Sequence, residues 1–176
     1  NNYDAFVEDS VKILGIDPEL DQNTFERSSR NDLLSIYQEE VFDYYHRKFE
    51  KIREVLLPII KNVYQNEGHR YKRISIPYTD GSTHPLSISA DLESGVKTNG
   101  KAIKTEIEKA ITLAIIDDEW MEHLRNMDEL KDSVQSASFE QKDPLVIYKM
   151  EAFNLFQSLI GKINEKISAY LLKGTV

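Results

Sequence analysis

Residues 117–156 read DDEWMEHLRNMDELKDSVQ, then SASFEQKDP, then LVIYKMEAFNLF, and they carry the clearest structural signal in the chain. Its first and third parts carry apolar residues at the three- and four-residue spacing of an amphipathic helix, whereas the middle part is polar. Asp143 is a good N-cap and Pro144 a good first-turn residue, so the second helix should begin sharply. The stretch predicts two amphipathic helices and a loop whose single large apolar residue is Phe139.

The helical pattern continues outward on both sides of this stretch. It predicts two helices of equal length, at about 106–134 and 144–172. Matched lengths and a short connection favour an antiparallel helical hairpin. The side chains expected to pack within it are Trp120, Leu124, Met127, Tyr148, Phe153 and Phe156.

The N-terminal third is also predicted to be helical. A short helix over 3–14 should end at Gly15 in a left-handed cap, and a polar loop should follow over 16–29. With Ser29 as N-cap, apolar residues then recur at helical spacing from Asn31 to Tyr64. Pro58 lies inside this pattern and is expected to kink or split the helix.

Residues 71–90 change to a period of two, which predicts a β-hairpin. Ile74, Ile76 and Tyr78 alternate with polar residues, and a second alternating set begins at Leu86. Both sets are even-numbered, so a loop with an odd number of residues is needed to keep them on one face. We expect a three-residue loop over 79–81 with Gly81 in the left-handed region, and a polar linker over 91–100.

The fold class predicted from these patterns is mainly α. It combines a long antiparallel helical hairpin with a helical region that carries one small β-hairpin.

Composition excludes several classes of function. The net charge of -8 and the pI near 5.1 argue against a nucleic-acid binder, which needs clustered lysine and arginine. The same charge would repel anionic lipid unless a local basic patch overrides it. The absence of cysteine rules out disulfides, thiolate metal ligands and a thiol nucleophile. The chain opens on Asn1 rather than on methionine, so we expect it to be a piece of a longer protein.

Candidate catalytic and metal-binding residues are few. Glu119 and His123 share a helix face, but the spacing His-Glu-x-x-His is absent, and a solvated or salt-bridged helix face is the favoured interpretation. The other histidines are scattered along the chain. There is neither a glycine-rich phosphate loop nor a G-x-S-x-G motif in the sequence. We therefore expect no catalysis, no cofactor and no metal in this chain alone.

The loop around Phe139 has two interpretations. Phe139 could fold back over the end of the hairpin as a small lid. Alternatively, it could be a contact tip, because an aromatic ring offers sequence-tolerant apolar contact at low entropic cost. On the second interpretation the contact residues are Ser138, Phe139, Glu140, Gln141 and Lys142.

Three runs in this region resemble the SecA family of bacterial motor ATPases, which push preproteins through a membrane channel. Residues 117–128 are similar to the family pattern D-x-x-W-x-x-H-L-x-x-M-D. Residues 141–144, QKDP, match its Q-x-D-P turn, and YKMEAF at 148–153 matches the start of its second finger helix. The resemblance covers about 110–174, and residues 1–105 correspond by position to the helical wing domain.

The resemblance implies a division into a wing-like region, 1–105, and a two-helix finger of the helical scaffold domain, 106–176. It further implies that the finger contacts preprotein and the SecYEG channel and restrains ATP turnover by motor domains. ATP and Mg are expected only in those domains. The implied location is the cytoplasm, peripheral to the inner membrane at the translocon, with membrane contact only through the channel.

Two departures from the family are visible. Phe139 stands where the family usually has a tyrosine, so the hydroxyl is absent, whereas apolar contact is retained. The hairpin at 71–90 is foreign to a mostly helical wing and is interpreted as an insertion.

An alternative of another class is a self-standing coiled-coil adaptor that binds a partner helix. In that case the binding apolar residues should lie along the flank of the helices rather than at the tip.

Overall fold

The computed structural model describes residues 2–81, 85–137 and 143–176; the side chains of 135–137 are outside this description. Contacts divide the chain into two compact units. Unit 1 comprises Asn1–Ile111 and Ser168–Val176, and unit 2 comprises Thr112–Ile167. The predicted division at residue 105 concerns the domains of a longer protein and stays a prediction.

Most of the secondary-structure elements are helices. They are α1 (Tyr3–Asp9), a π-helical turn (Ser10–Leu14), α2 (Gln22–Arg27), α3 (Arg30–Glu67), β1 (Arg73–Tyr78), β2 (Leu86–Asp91), α4 (Leu92–Lys97), α5 (Lys101–Ala137) and α6 (Pro144–Lys173). The predicted fold class, mainly α with a long helical hairpin and one β-hairpin, is confirmed. None of the described helices combines the length and apolar character needed to cross a membrane.

The helix boundaries follow from local capping. Ser29 caps α3, since its Oγ accepts from the Asp32 N–H at 3.3 Å and donates to the Asp32 carboxylate at 2.7 Å. Gly15 ends the first helical segment with φ 72°, the left-handed conformation predicted for it. Of the two outcomes predicted at Pro58, a kink or a split, the split is excluded because α3 continues through this residue, and the kink stays a prediction. Leu56 and Ile60 on either side are buried, which offsets the lost backbone hydrogen bond.

Two segments predicted to be irregular contain short helices. The predicted loop 16–29 includes α2, because its one large aromatic residue, Phe25, packs at 5.5 Å from the ring of Tyr3 and 5.2 Å from that of Phe6. The predicted linker 91–100 includes α4, which Asp91 caps and whose first residue, Leu92, is buried. In both cases tertiary burial of one apolar side chain stabilises a helix that local polarity disfavours.

The β-hairpin confirms the predicted face and corrects the predicted loop. Ile76 pairs with Ile88 and Tyr78 with Leu86, so even-numbered residues share a face as parity requires. Strand pairing ends at Tyr78 and Leu86, which leaves the seven residues 79–85 between the strands rather than three. The number is odd, as predicted, and Gly81 has φ 81°. The alternation of apolar residues predicted that the loop has an odd number of residues, but it did not predict how many.

Unit 1 is built around α3, the β-hairpin and the first turns of α5. The space between α3 and α5 is filled, with a residual cavity of about 10 Å³ lined by Phe49, Ile52, Leu56, Ile103 and Ile107. Each buried aliphatic side chain of this kind contributes roughly 1.5–3 kcal/mol relative to exposure. The hairpin closes the core with side chains that are at most 2% exposed: Ile76, Tyr78 and Ile88.

Two phenols, of the half-buried Tyr45 and the buried Tyr78, make unit 1 sensitive to alkali. Burial, and then the hydrogen bond from its hydroxyl to the Glu108 carboxylate, raises the pKa of Tyr45 far above its ordinary value of 10.0. Burial likewise raises the pKa of Tyr78. An unfolded chain ionises both phenols near pH 10, whereas the folded chain keeps them neutral. The stability they contribute is complete below about pH 10 and is lost as the pH rises beyond it.

We therefore expect the free energy of unfolding to fall more steeply between about pH 9 and pH 11 in the wild type than in Tyr45→Phe. Urea denaturation followed by far-ultraviolet circular dichroism measures this slope. Tyr71→Phe is the matched control, since Tyr71 is 43% exposed, and it should keep the wild-type slope. Identical slopes for wild type and Tyr45→Phe would contradict the assignment.

Candidate functional site

Unit 2 consists of α5 from Thr112 onward and α6 up to Ile167. The start of α6 is capped as the sequence predicts: the Asp143 Oδ1 accepts from the Leu145 N–H at 2.9 Å, and Pro144 is the first helical residue. Glu119 of α5 pairs with Lys166 of α6, and His123 lies beside Phe156. Residues further along α5 contact residues that come earlier in α6, so the two helices are antiparallel.

The predicted contact tip, Ser138, Phe139, Glu140, Gln141 and Lys142, lies outside the described residues. The two interpretations of Phe139, a lid and a contact tip, therefore both stay predictions.

The six side chains predicted to pack in the hairpin occupy two environments. Four are exposed, by 46% for Trp120, 48% for Leu124, 60% for Phe153 and 46% for Phe156. Met127 and Tyr148 are half-buried. Helical spacing identifies a stripe but does not say which neighbour covers it, so the packing role of these residues stays a prediction.

Two polar residues lie in the seam between the two helices, beside the buried Leu159. Glu119 is 6% exposed and His123 8%, and the Glu119 carboxylate accepts a hydrogen bond from the Lys166 ammonium across the hairpin. The rings of Trp120 and Phe156 lie 5.4 and 6.3 Å from that of His123. The predicted salt-bridged face is thus observed, and its partner is on the opposite helix rather than on α5.

The role of Lys166 could have been predicted from charge complementarity across the hairpin. In an antiparallel hairpin that turns near residue 140, residue 119 lies opposite about residue 161. Lys162 and Lys166 are the α6 lysines within reach of that level. Charge complementarity across the predicted hairpin would have selected these two as candidate partners of Glu119.

The hairpin shows no room for a small-molecule site in its described part. The pocket between the helices beside Glu119 and His123 is about 50 Å³, whereas ligand pockets measure roughly 300 Å³ or more. Within the ranges 2–81, 85–137 and 143–176, no group of three or more histidine, aspartate and glutamate residues is placed to hold a metal ion.

Exposed apolar side chains lie along both helices, and we call them together the apolar flank. On α5 it comprises Leu113, Ile116, Trp120 and Leu124, at three- and four-residue intervals, and on α6 it comprises Val146, Met150 and Phe153. All seven side chains are more than one-third exposed. Large exposed groups of apolar side chains mark interaction sites.

The architecture defines a class of protein: a mainly helical chain with one small β-hairpin and two long antiparallel helices. The sequence profile described as the SecA Wing and Scaffold domain matches residues 5–175. The chain belongs to this family.

Curated relatives carry the same signal over the whole chain. This chain is 39% identical over 176 residues to the protein translocase subunit SecA of Porphyromonas gingivalis, and it covers 16% of that protein. It is 40% identical over 173 residues, 98% of the chain, to SecA of Flavobacterium psychrophilum, of which it covers 15%. The chain thus spans about one-sixth of the length of these relatives. No solved structure matches it significantly.

Proposed function

We propose that this chain is the wing and finger portion of a protein-translocating motor. Its hairpin, α5 and α6, acts as a finger whose tip contacts the preprotein at the SecYEG channel, and its helices help to restrain ATP turnover by the motor domains. The observation that supports this best is the family match over residues 5–175, together with curated relatives named as protein translocase subunits.

The hairpin has properties that such a finger needs. Two helices satisfy their backbone hydrogen bonds internally and are stiff along their axes. The Glu119–Lys166 pair joins them across the seam. A tip that moves many different polypeptides must bind each of them weakly, which suits one aromatic side chain among small and polar residues.

The apolar flank fits the same proposal. In a motor, helices that restrain ATP turnover must pack on the domains that bind ATP, and exposed apolar residues such as Trp120 and Leu124 provide that surface. ATP and Mg would bind in those domains, and the chain would act in the cytoplasm, at the inner-membrane translocon.

The flank also supports a second candidate function, a coiled-coil adaptor that binds a partner helix. This class of protein places its binding residues along the helices, as the exposed Met150 and Phe153 are placed. An adaptor needs no contact at the tip, so the tip residue separates the two functions.

Phe139→Gly in the translocating protein is the test. We expect preprotein transport to slow about tenfold while basal ATPase activity stays unchanged. A buried phenylalanine side chain contributes roughly 1.5–3 kcal/mol, and 1.4 kcal/mol corresponds to a factor of ten. Transport is measured as the rate of preprotein uptake into membrane vesicles.

Phe139→Tyr is the matched control, because it keeps the ring and adds the hydroxyl usual in the family; it should transport at least as fast as the wild type. Transport that Phe139→Gly leaves unchanged would reject the finger and favour the adaptor.

A further inference from the structure

An open apolar groove of about 470 Å³ lies on unit 1, between α3 and the last turns of α6. We propose that this groove is a docking site for an amphipathic helix of another polypeptide, one that carries lysine or arginine beside its apolar face. The groove includes neither the predicted tip nor the apolar flank of unit 2. The inference therefore goes beyond the proposed function and does not depend on it.

The groove has the shape that a helix needs. One wall is the part of α3 from Gln38 to Tyr45, the other is the part of α6 from Ser168 to Leu172, and Leu14 of the π-helical turn lines it as well. The α3 wall covers two helical turns and is about 10 Å long at 1.5 Å per residue. A helix that binds in a groove places side chains at intervals of three and four residues against walls of this kind.

The walls are held in place without a partner. The Lys48 Nζ of α3 donates to the carbonyl oxygens of Leu171 at 3.1 Å and Leu172 at 2.6 Å, which joins the two walls directly. Gly15 turns the chain after Leu14 with φ 72°, and a Cβ atom there would come within 3.0 Å of the Lys173 side chain. A preformed groove binds without the cost of ordering its own walls.

The floor of the groove offers an aromatic anchor. Phe42 is 53% exposed, and no charged side chain is among the residues that line the groove in the described part of the chain. Aromatic side chains that become buried at the centre of an interface contribute much of its binding energy. Phe42 is therefore the residue on which we expect binding to depend most.

The charge around the groove selects the partner. Residues 1–50 contain twelve aspartates and glutamates but five lysines and arginines, so this part of the chain is strongly acidic. Glu39 lies three positions before Phe42 on α3, and Asp43 follows it; both are exposed. Side chains three positions apart are neighbours on a helix surface. Within the described ranges, neither carboxylate forms an ion pair with a residue of this chain.

The cations near the groove are already engaged within the chain. Arg47 lies 3.7 Å from the Glu19 carboxylate, and the Lys173 Nζ donates to the Lys12 carbonyl at 2.5 Å. Lys48 is bound to the α6 carbonyls in the same way. The surface beside the groove therefore favours a basic partner. A second copy of this chain, with its net charge of -8, would bring like charges together instead.

Fluorescence anisotropy with two synthetic peptides tests the proposal on the full 176-residue chain. Both peptides are about 18 residues long, so that they can be helical, and have the same leucine face. One carries lysine beside that face and the other carries glutamate. We expect the lysine peptide to bind at least about tenfold more tightly at low salt, and this difference to shrink as salt is added.

Variants locate the binding on the groove. Phe42→Ser should weaken binding of the lysine peptide at least about tenfold. Ile59→Ser is the matched control, because Ile59 lies on the same helix and is 52% exposed but does not line the groove. It should bind the peptide as the wild type does.

A second pair of variants tests the charge. Glu39→Gln combined with Asp43→Asn should weaken binding of the lysine peptide at least about threefold and leave binding of the glutamate peptide no weaker. Asp117→Asn combined with Asp118→Asn is the control, since it removes the same number of exposed charges from unit 2. It should leave the affinity within about twofold of the wild type.

Three results would overturn the proposal. Binding that Phe42→Ser leaves unchanged would place the peptide elsewhere on the chain. Equal affinity for the two peptides would show that the groove selects apolar character alone. A dimer of the chain that Phe42→Ser dissociates in analytical ultracentrifugation would make a second copy the occupant.

Discussion

Replacing Tyr78 by alanine is expected to destabilise unit 1 by about 4 kcal/mol, the largest effect of any substitution considered for this chain. The Tyr78 side chain is fully buried, with its ring 5.8 Å from that of Tyr170 and its hydroxyl bonded to the Leu171 oxygen. Alanine leaves a cavity the size of the ring in a core that is otherwise filled. The stability of a whole domain is only about 5–15 kcal/mol, so much of it would be lost.

Tyr78→Phe separates the ring from the hydroxyl. It keeps the packing and loses one hydrogen bond, while the Leu171 oxygen retains Lys48 as a donor, so the expected loss is about 1 kcal/mol. Tyr71→Ala, at a 43% exposed position, should change stability by less than about 0.5 kcal/mol. Urea denaturation followed by the near-ultraviolet circular dichroism of tyrosine measures all three. A loss in Tyr78→Phe equal to that in Tyr78→Ala would show that the hydroxyl, and not packing, dominates.

Lys166→Ala is expected to destabilise unit 2 by about 2 kcal/mol. The substitution leaves the Glu119 carboxylate, whose side chain is 8% exposed, without the cation that pairs with it. Removing one partner of a fully buried pair costs roughly 3–5 kcal/mol. Lys166 is itself 59% exposed, so we expect a smaller loss than that. Trp120, the only tryptophan in the chain, lies in unit 2 and makes its fluorescence a specific probe of this unfolding.

The double variant Glu119→Leu with Lys166→Leu tests whether the loss comes from the unpaired charge. Replacing both partners by apolar residues is often neutral or stabilising, so the double variant should lie within about 1 kcal/mol of the wild type. Arg125→Ala is the control, because it breaks the exposed pair with Glu122 and should cost less than about 0.5 kcal/mol. The interpretation fails if Lys166→Ala costs no more than Arg125→Ala.

Local sequence rules predicted the elements whose signals are local. The caps at Ser29 and Asp143, the left-handed Gly15 and Gly81, and the parity of the β-hairpin follow from short-range chemistry, and all are observed. The long helices were predicted because their apolar spacing persists over many turns. Short helices were missed because α2 and α4 depend on the burial of Phe25 and Leu92 by distant parts of the chain.

The candidate site could be predicted only in part. Motif spacing in 117–153 identified the family, which the match over residues 5–175 confirms. The same spacing did not reveal that Trp120 and Leu124 are exposed while Glu119 and His123 lie in the seam. An amphipathic pattern reports how apolar residues are distributed around a helix, whereas the choice of the face that meets a neighbour depends on that neighbour.

The mainly helical class, the antiparallel hairpin, the even-numbered face of the β-strands and the family could all be predicted from the sequence, because each rests on periodicity, capping or a contiguous motif. Two sets of contacts became known only from the three-dimensional structure: Lys166 pairs with Glu119, and Lys48 and Tyr78 bind the carbonyl groups at the end of α6. Those contacts join residues 47 to 124 positions apart. Their geometry depends on how whole elements pack, which no local pattern encodes.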